Sequence, residues 1–214
     1  MKMSKAVLDR KSDATLMRMS YVNINKLKEL KKILNLRSYD ACLSVLLREF
    51  HEEEYPEATV ENVMANQIPI ILTGIPGSGK TTFLREQLVP KINSATFVLD
   101  VHDEYPSLER INLGQFFSLK FKRGDRKIRL VPSSNVDVSK SEADSIFRHL
   151  IMFQRDLKEW AVIVEEAHRF ADSPFLKSLV AEARKHMRKI ILVSHQVEPY
   201  EGLGVVLKVS TFLD

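Results

Sequence analysis

The sequence predicts an α/β fold with a mainly parallel sheet, preceded by a small module of another kind. Three observations carry this. Short apolar runs, IPIILT (68–73), ATFVLD (95–100), WAVIV (160–164), KIILVS (189–194) and VVLKVS (205–210), alternate with helical stretches. Such runs suit strands of a parallel sheet covered by helices on both faces. The charge shifts along the chain: residues 1–48 hold 11 Lys+Arg against 4 Asp+Glu, residues 49–65 hold six Glu and no Lys or Arg, and residues 66–214 are near balance at +3. At about 150 residues per domain, 214 residues make one to two domains.

Residues 1–14 have weak periodicity and read as a tail. In 15–24, TLMRMSYVNI, Met17, Met19 and Tyr21 alternate with Arg18 and Ser20, a strand pattern. Asn25 can cap a helix over 26–35, where Leu27, Leu30 and Leu34 recur at helical spacing. Ser38 can cap a second helix over about 39–54 with Leu43, Leu46, Leu47 and Phe50 on one face, and Pro56 stops it. These limits predict a first domain over 1–58, an acidic connector over 59–67 and a second domain over 68–214.

In the second domain, a helix to about residue 89 follows GIPGSGK. SLKFK and KIRLV flank RGDR, which predicts a β-hairpin. SKSEADSIFRHLIMFQRDL (139–157) and residues 174–187 have helical periodicity.

Composition narrows the function classes. No run approaches the about 18 apolar residues of a membrane span. The N-terminus MKMSKAVLDRKSD has no apolar signal core, so the expected setting is cytoplasmic. Cys42 is the single cysteine, which leaves no intrachain disulfide and no cysteine zinc cluster. A basic segment next to an acidic one suits a polyanion-binding module and its connector, and equally a solvated charged face.

The strongest local signal is Gly74-Ile75-Pro76-Gly77-Ser78-Gly79-Lys80-Thr81, followed by Thr82. It matches G-x-x-x-x-G-K-[ST], with a strand before it and a helix after. Glycines let successive N–H groups turn into one concavity, and the helix start adds positive potential. Lys80 would reach the terminal phosphates of a nucleotide, and the Thr81 hydroxyl would ligate Mg²⁺. ATP and Mg²⁺ are the cofactors implied.

The apolar strand WAVIV runs into Glu165-Glu166. Two acids at a strand end suit a metal-supporting group, Glu165, and a water-activating group, Glu166. The pair resembles the Walker B acids of P-loop NTPases, where the first is ordinarily aspartate; the longer Glu165 implies contact with Mg²⁺ through water. Asp100 ends another strand in LDVHDEY, and ligands of parallel sheets sit at such ends. His102 and His168 fall near the same edge without a ligand spacing that would define a metal site.

GIPGSGKT, LDVHDEY, IVEEAHRF and EARKHMRKIILVSHQ, in this order, resemble the HerA/FtsK superfamily of P-loop ATPases over about 66–214. The resemblance implies a RecA-like core, usually assembled into a hexameric ring that moves DNA. It implies a γ-phosphate sensor at Gln196 or His195, with Gln196 preferred, and a role for Arg184 toward a neighbouring subunit's ATP. The sequence departs from the family with Ala183 where glycine is common and Val197-Glu198-Pro199 where Arg-Pro is usual.

Residues 15–54 resemble ribbon-helix-helix repressors, with SYDACLSVLLREF as the second helix. This implies a dimer whose paired strands present Arg18 and Ser20 to the DNA major groove, and a phosphate held near Ser38 and Tyr39. A helical dimerisation module that never touches DNA remains the alternative.

The resulting expectation is a Mg²⁺-dependent ATPase that couples hydrolysis to DNA translocation, packaging or processing, with double-stranded DNA and further copies of itself as partners and no membrane. The alternatives are an ATP-controlled DNA-binding regulator and a nucleotide-gated assembly factor acting on protein.

Overall fold

Seven segments pair side by side into one sheet, all parallel, in the order β3-β4-β2-β5-β6-β1-β7. The strands are β1 (Ile70–Thr73), β2 (Ala95–Leu99), β3 (Glu109–Ile111), β4 (Lys127–Leu130), β5 (Trp160–Val164), β6 (Lys189–Val193) and β7 (Val205–Lys208). The computed structural model describes residues 55–210 except 122–123, 154 and 187–188, together with Lys32. The chain divides into two compact units, Met1–Arg48 and Glu49–Asp214. The ribbon-helix-helix expectation for 15–54, with Arg18, Ser20 and Ser38, lies outside the described residues.

The central strands β1, β2, β5 and β6 are mostly apolar and almost wholly buried because both sheet faces are covered, with Thr73 and Thr96 as buried polar positions and Lys189 at the start of β6. On one face Ile71, Phe97, Val162 and Leu192 pack with Ala143, Phe147, Leu176 and Leu179. Those partners come from α4 (Val136–Met152) and α5 (Pro174–His186); ahead of them in the chain come α1 (Val60–Ala65), α2 (80–91) and α3 (Leu113–Phe117). On the other face Ile70, Leu72, Ile163 and Ile191 pack with Val63, Phe83, Leu84 and Leu88. Here α2 denotes the helical stretch that is α-helical at Lys80–Thr82, π-helical at Phe83–Leu88 and 3-10 at Val89–Lys91. Helix ends follow local chemistry: Asn135 accepts from the N–H groups of Asp137 and Val138 and starts α4 ahead of the predicted residue 139.

Two expectations change, and one strand is new. SLKFK and KIRLV do not form a hairpin. Lys127–Leu130 pairs in parallel with β2 on one side and β3 on the other. Phe121, within SLKFK, packs edge-on against Trp160 at 5.3 Å between ring centroids. Residues 57–66 are built into the second unit rather than serving as a bare connector. Glu57 bridges to Lys208, Val63 is fully buried, and Lys189 Nζ donates to the carbonyls of Val63 and Asn66 at 2.8 and 2.5 Å. Finally, β3 escaped prediction because it is short and opens on the exposed Glu109 and Arg110.

Among the described residues no helix is long and apolar enough to cross a membrane.

Candidate active site

Parallel pairing brings four sequence motifs to one edge. In the order β2-β5-β6-β1, neighbouring strands end in Asp100, Glu165-Glu166, Ser194-His195-Gln196 and the glycine-rich loop. The register keeps them level: Leu99 pairs with Val164, Val164 with Leu192, and Leu72 with Val193. Backbone bonds continue beyond the strands, with Glu165 N donating to Leu99 O at 3.1 Å and Ser194 N to Leu72 O at 3.0 Å.

The loop after β1 needs its glycines. Gly77 and Gly79 have φ of 84° and 86°, in the left-handed region. A Cβ built on either meets nothing within 4 Å, so the loop opens to solvent at both positions. At Gly74 a Cβ would meet Ser78 Oγ at 2.5 Å and Val209 O at 2.7 Å, leaving no room for a side chain. Lys80 is buried and its Nζ donates to Gly74 O at 2.6 Å and Ile75 O at 3.0 Å. The ammonium group is therefore folded back across the loop. Pro76 and Gly77 are exposed, Ser78 is buried, Thr81 is half-buried and Thr82 is exposed.

The two acids sit in different surroundings. Glu165 is buried and accepts a hydrogen bond from the Tyr105 hydroxyl. Burial pushes its carboxyl up to about 7, against the opposing effect of that bond, and the nearby Glu104, Glu166 and Asp100 charges add to the rise. Burial and the Glu165 charge keep the Tyr105 phenol protonated well above its ordinary range. Glu166 has a φ of 49°, uncommon for a residue with a side chain, and precedes a 3-10 turn over Ala167–Phe170. Its carboxylate is partly open and lies 3.4 Å from His168 Nε2.

Asp100 is an organiser of this edge. Its oxygens accept from the N–H groups of Glu104 and Tyr105 at 2.9 and 3.2 Å, and from Arg129 Nη1 at 2.9 Å. Arg129 also bonds Asp103, whose φ is 59°. The ion pair holds the turn that carries Tyr105, and Tyr105 holds Glu165. Neither Tyr105 nor Arg129 was singled out from sequence. A charged residue inside the apolar run KIRLV was the available signal for Arg129.

At the end of β6 the Ser194 hydroxyl closes a turn, accepting from Gln196 N at 3.0 Å and donating to Gln196 O at 2.6 Å. Gln196 is exposed. His195 is half-buried, and its ring lies 3.8 Å from that of His168, centroid to centroid. The structure thus places His195, rather than Gln196, beside the Glu166–His168 pair. Arg184 lies in α5, and its side chain is outside the described residues.

The donor set suits a nucleotide with its metal. The loop offers N–H groups and a lysine, while Thr81 and Glu165 offer oxygen ligands of the kind Mg²⁺ takes. A nearby cation would offset the burial, and the neighbouring acids, that raise the Glu165 carboxyl. No family model matches the chain, and no curated protein matches it.

Proposed function

We propose that residues 55–210 form the core of a Mg²⁺-dependent ATPase, RecA-like and of the HerA/FtsK type. One observation carries the reading: the phosphate-loop strand β1 and the acid-bearing strand β5 flank the single strand β6. Strands lie about 4.8 Å apart, so the loop and the acids are separated by roughly 10 Å. That gap suits a terminal phosphate, its metal and an attacking water.

When bound, Mg-ATP supplies the transferable phosphoryl group and the cation that neutralises it. Lys80, now bonded to the carbonyls of Gly74 and Ile75, would bind phosphate oxygens, and the backbone N–H groups of Gly74, Gly77, Ser78 and Gly79 would be available to them. Thr81 and Glu165 would hold the metal. Glu166 accepts the proton of the attacking water. Asp100 acts through the turn it organises, and the segment Ser194–Gln196 senses the phosphate from between the two.

The basic first unit suits tethering to double-stranded DNA, so that turnover drives translocation, packaging or processing by an oligomeric ring. Turnover is measured with and without duplex. Lys80→Ala is expected to lose ATP binding. Glu166→Gln is expected to bind ATP and turn over about 10²–10⁴-fold more slowly. Normal turnover in Lys80→Ala refutes the site. Turnover without DNA stimulation favours the regulator or assembly-factor reading.

A further inference from the structure

We propose that Glu166, His168 and His195 form a binding site for a zinc-like divalent transition-metal ion, and that this ion switches the ATPase off. Each residue offers one ligand atom, and these three atoms all lie within 4.8 Å of one another. Zinc bonds to imidazole nitrogen and carboxylate oxygen at about 2.0–2.1 Å, which in a tetrahedron sets ligand atoms about 3.3 Å apart. Glu166 Oε2 and His168 Nε2 already stand 3.4 Å apart. The half-buried His195 ring completes the triangle, and closing the widest separation takes about 1.5 Å of side-chain movement.

The two loops that carry the ligands are tied together. Glu166 and His168 lie at the 3-10 turn after β5, where Arg169 N donates to Glu166 O at 2.8 Å. The buried Tyr200 hydroxyl, from the segment after β6, donates to Ala167 O at 2.5 Å. His195 is set by the Ser194 turn on that same segment. Ligands held this way need little ordering when an ion arrives.

The donor chemistry selects the ion. Two imidazoles and a carboxylate suit zinc, cobalt or nickel, whereas Mg²⁺ prefers oxygen ligands. Three protein ligands leave a fourth position for water. The consequence for turnover rests on the reading of Glu166 as the base: a carboxylate bonded to the ion no longer accepts a proton from the attacking water.

The test begins with binding, which does not depend on turnover. The full chain, at neutral pH and with Mg²⁺ in millimolar excess, is titrated with Zn²⁺ against a chromophoric chelator. One retained equivalent is expected. His168→Gln and His195→Gln are each expected to weaken binding by about 10-fold or more, with the exposed His102→Gln unchanged. Trp160 fluorescence verifies folding, and His168→Asn and His195→Asn replace any variant that fails it. Failure to retain an equivalent, or full affinity in folded variants of both histidines, overturns the site. Turnover is then compared with and without Zn²⁺. The wild type should slow, recover with a zinc-selective chelator, and slow less in His168→Gln. Stoichiometric binding with undiminished turnover overturns the switch. Absence of turnover in the zinc-free wild type counts against the ATPase reading, while the binding result still decides the metal site.

Discussion

Replacing Glu165 by glutamine removes an ionisable group from the buried end of β5 while keeping an oxygen that accepts the Tyr105 hydroxyl. The Glu165 carboxyl sits at about 7 in the folded chain against an ordinary 4.5. The folded state therefore holds its proton over a range where the unfolded chain has lost it. The stability from this is full below about pH 4.5 and lost as the pH rises through about 7. The whole swing is about 3 kcal/mol, and roughly 2 kcal/mol of it falls between about pH 5.5 and about pH 8.5. Glu165→Gln has no such dependence, so its stability relative to wild type should improve by about 2 kcal/mol over that interval. The assay is urea unfolding at both pH values, without Mg²⁺ or nucleotide, because a cation would stabilise the carboxylate. Trp160, the single tryptophan, is buried on the same strand and reports the second unit alone. Parallel pH dependences for variant and wild type would refute the idea that burial of this carboxyl dominates its ionisation.

Arg129→Ala should cost about 3–5 kcal/mol, read by the same Trp160 signal, because it leaves the Asp100 carboxylate buried without its cation. Gly74→Ala should lose nucleotide binding in a direct titration and destabilise the second unit by about 1–3 kcal/mol, since the new Cβ collides with Ser78 Oγ and Val209 O. Arg184→Ala should bind ATP yet be inactive alone. It should regain turnover when mixed with Lys80→Ala, if Arg184 completes a neighbour's site; mixed oligomers without recovery would place its role elsewhere.

Much of the second unit was legible because its signals are local. A buried parallel strand is largely apolar at successive positions, so β1, β2, β5 and β6 announce themselves, and the apolar run of the edge strand β7 is legible as well. The loop from Gly74 to Lys80 is equally local, since backbone conformation and lysine reach depend on residues a few positions apart. The acid pair at the end of β5 follows from the same strand signal. The all-parallel pairing that turned KIRLV from a hairpin arm into an interior strand was not local, nor was the burial of Val63 that drew 57–66 into the unit. Those outcomes depend on which segments become neighbours after long crossovers, and no sequence window contains both partners. The same holds for the site's supporting contacts. Arg129 reaches Asp100 from β4, Tyr105 reaches Glu165 from the turn after β2, and His195 meets His168 across two loops joined through Tyr200. Short-range sterics and burial make the apolar strands, the glycine-rich loop and the paired acids legible in the sequence, whereas the short, mostly exposed β3 is not. The raised Glu165 carboxyl and the grouping of Glu166, His168 and His195 come only with the tertiary structure, because desolvation and through-space distance exist only once the sheet has assembled.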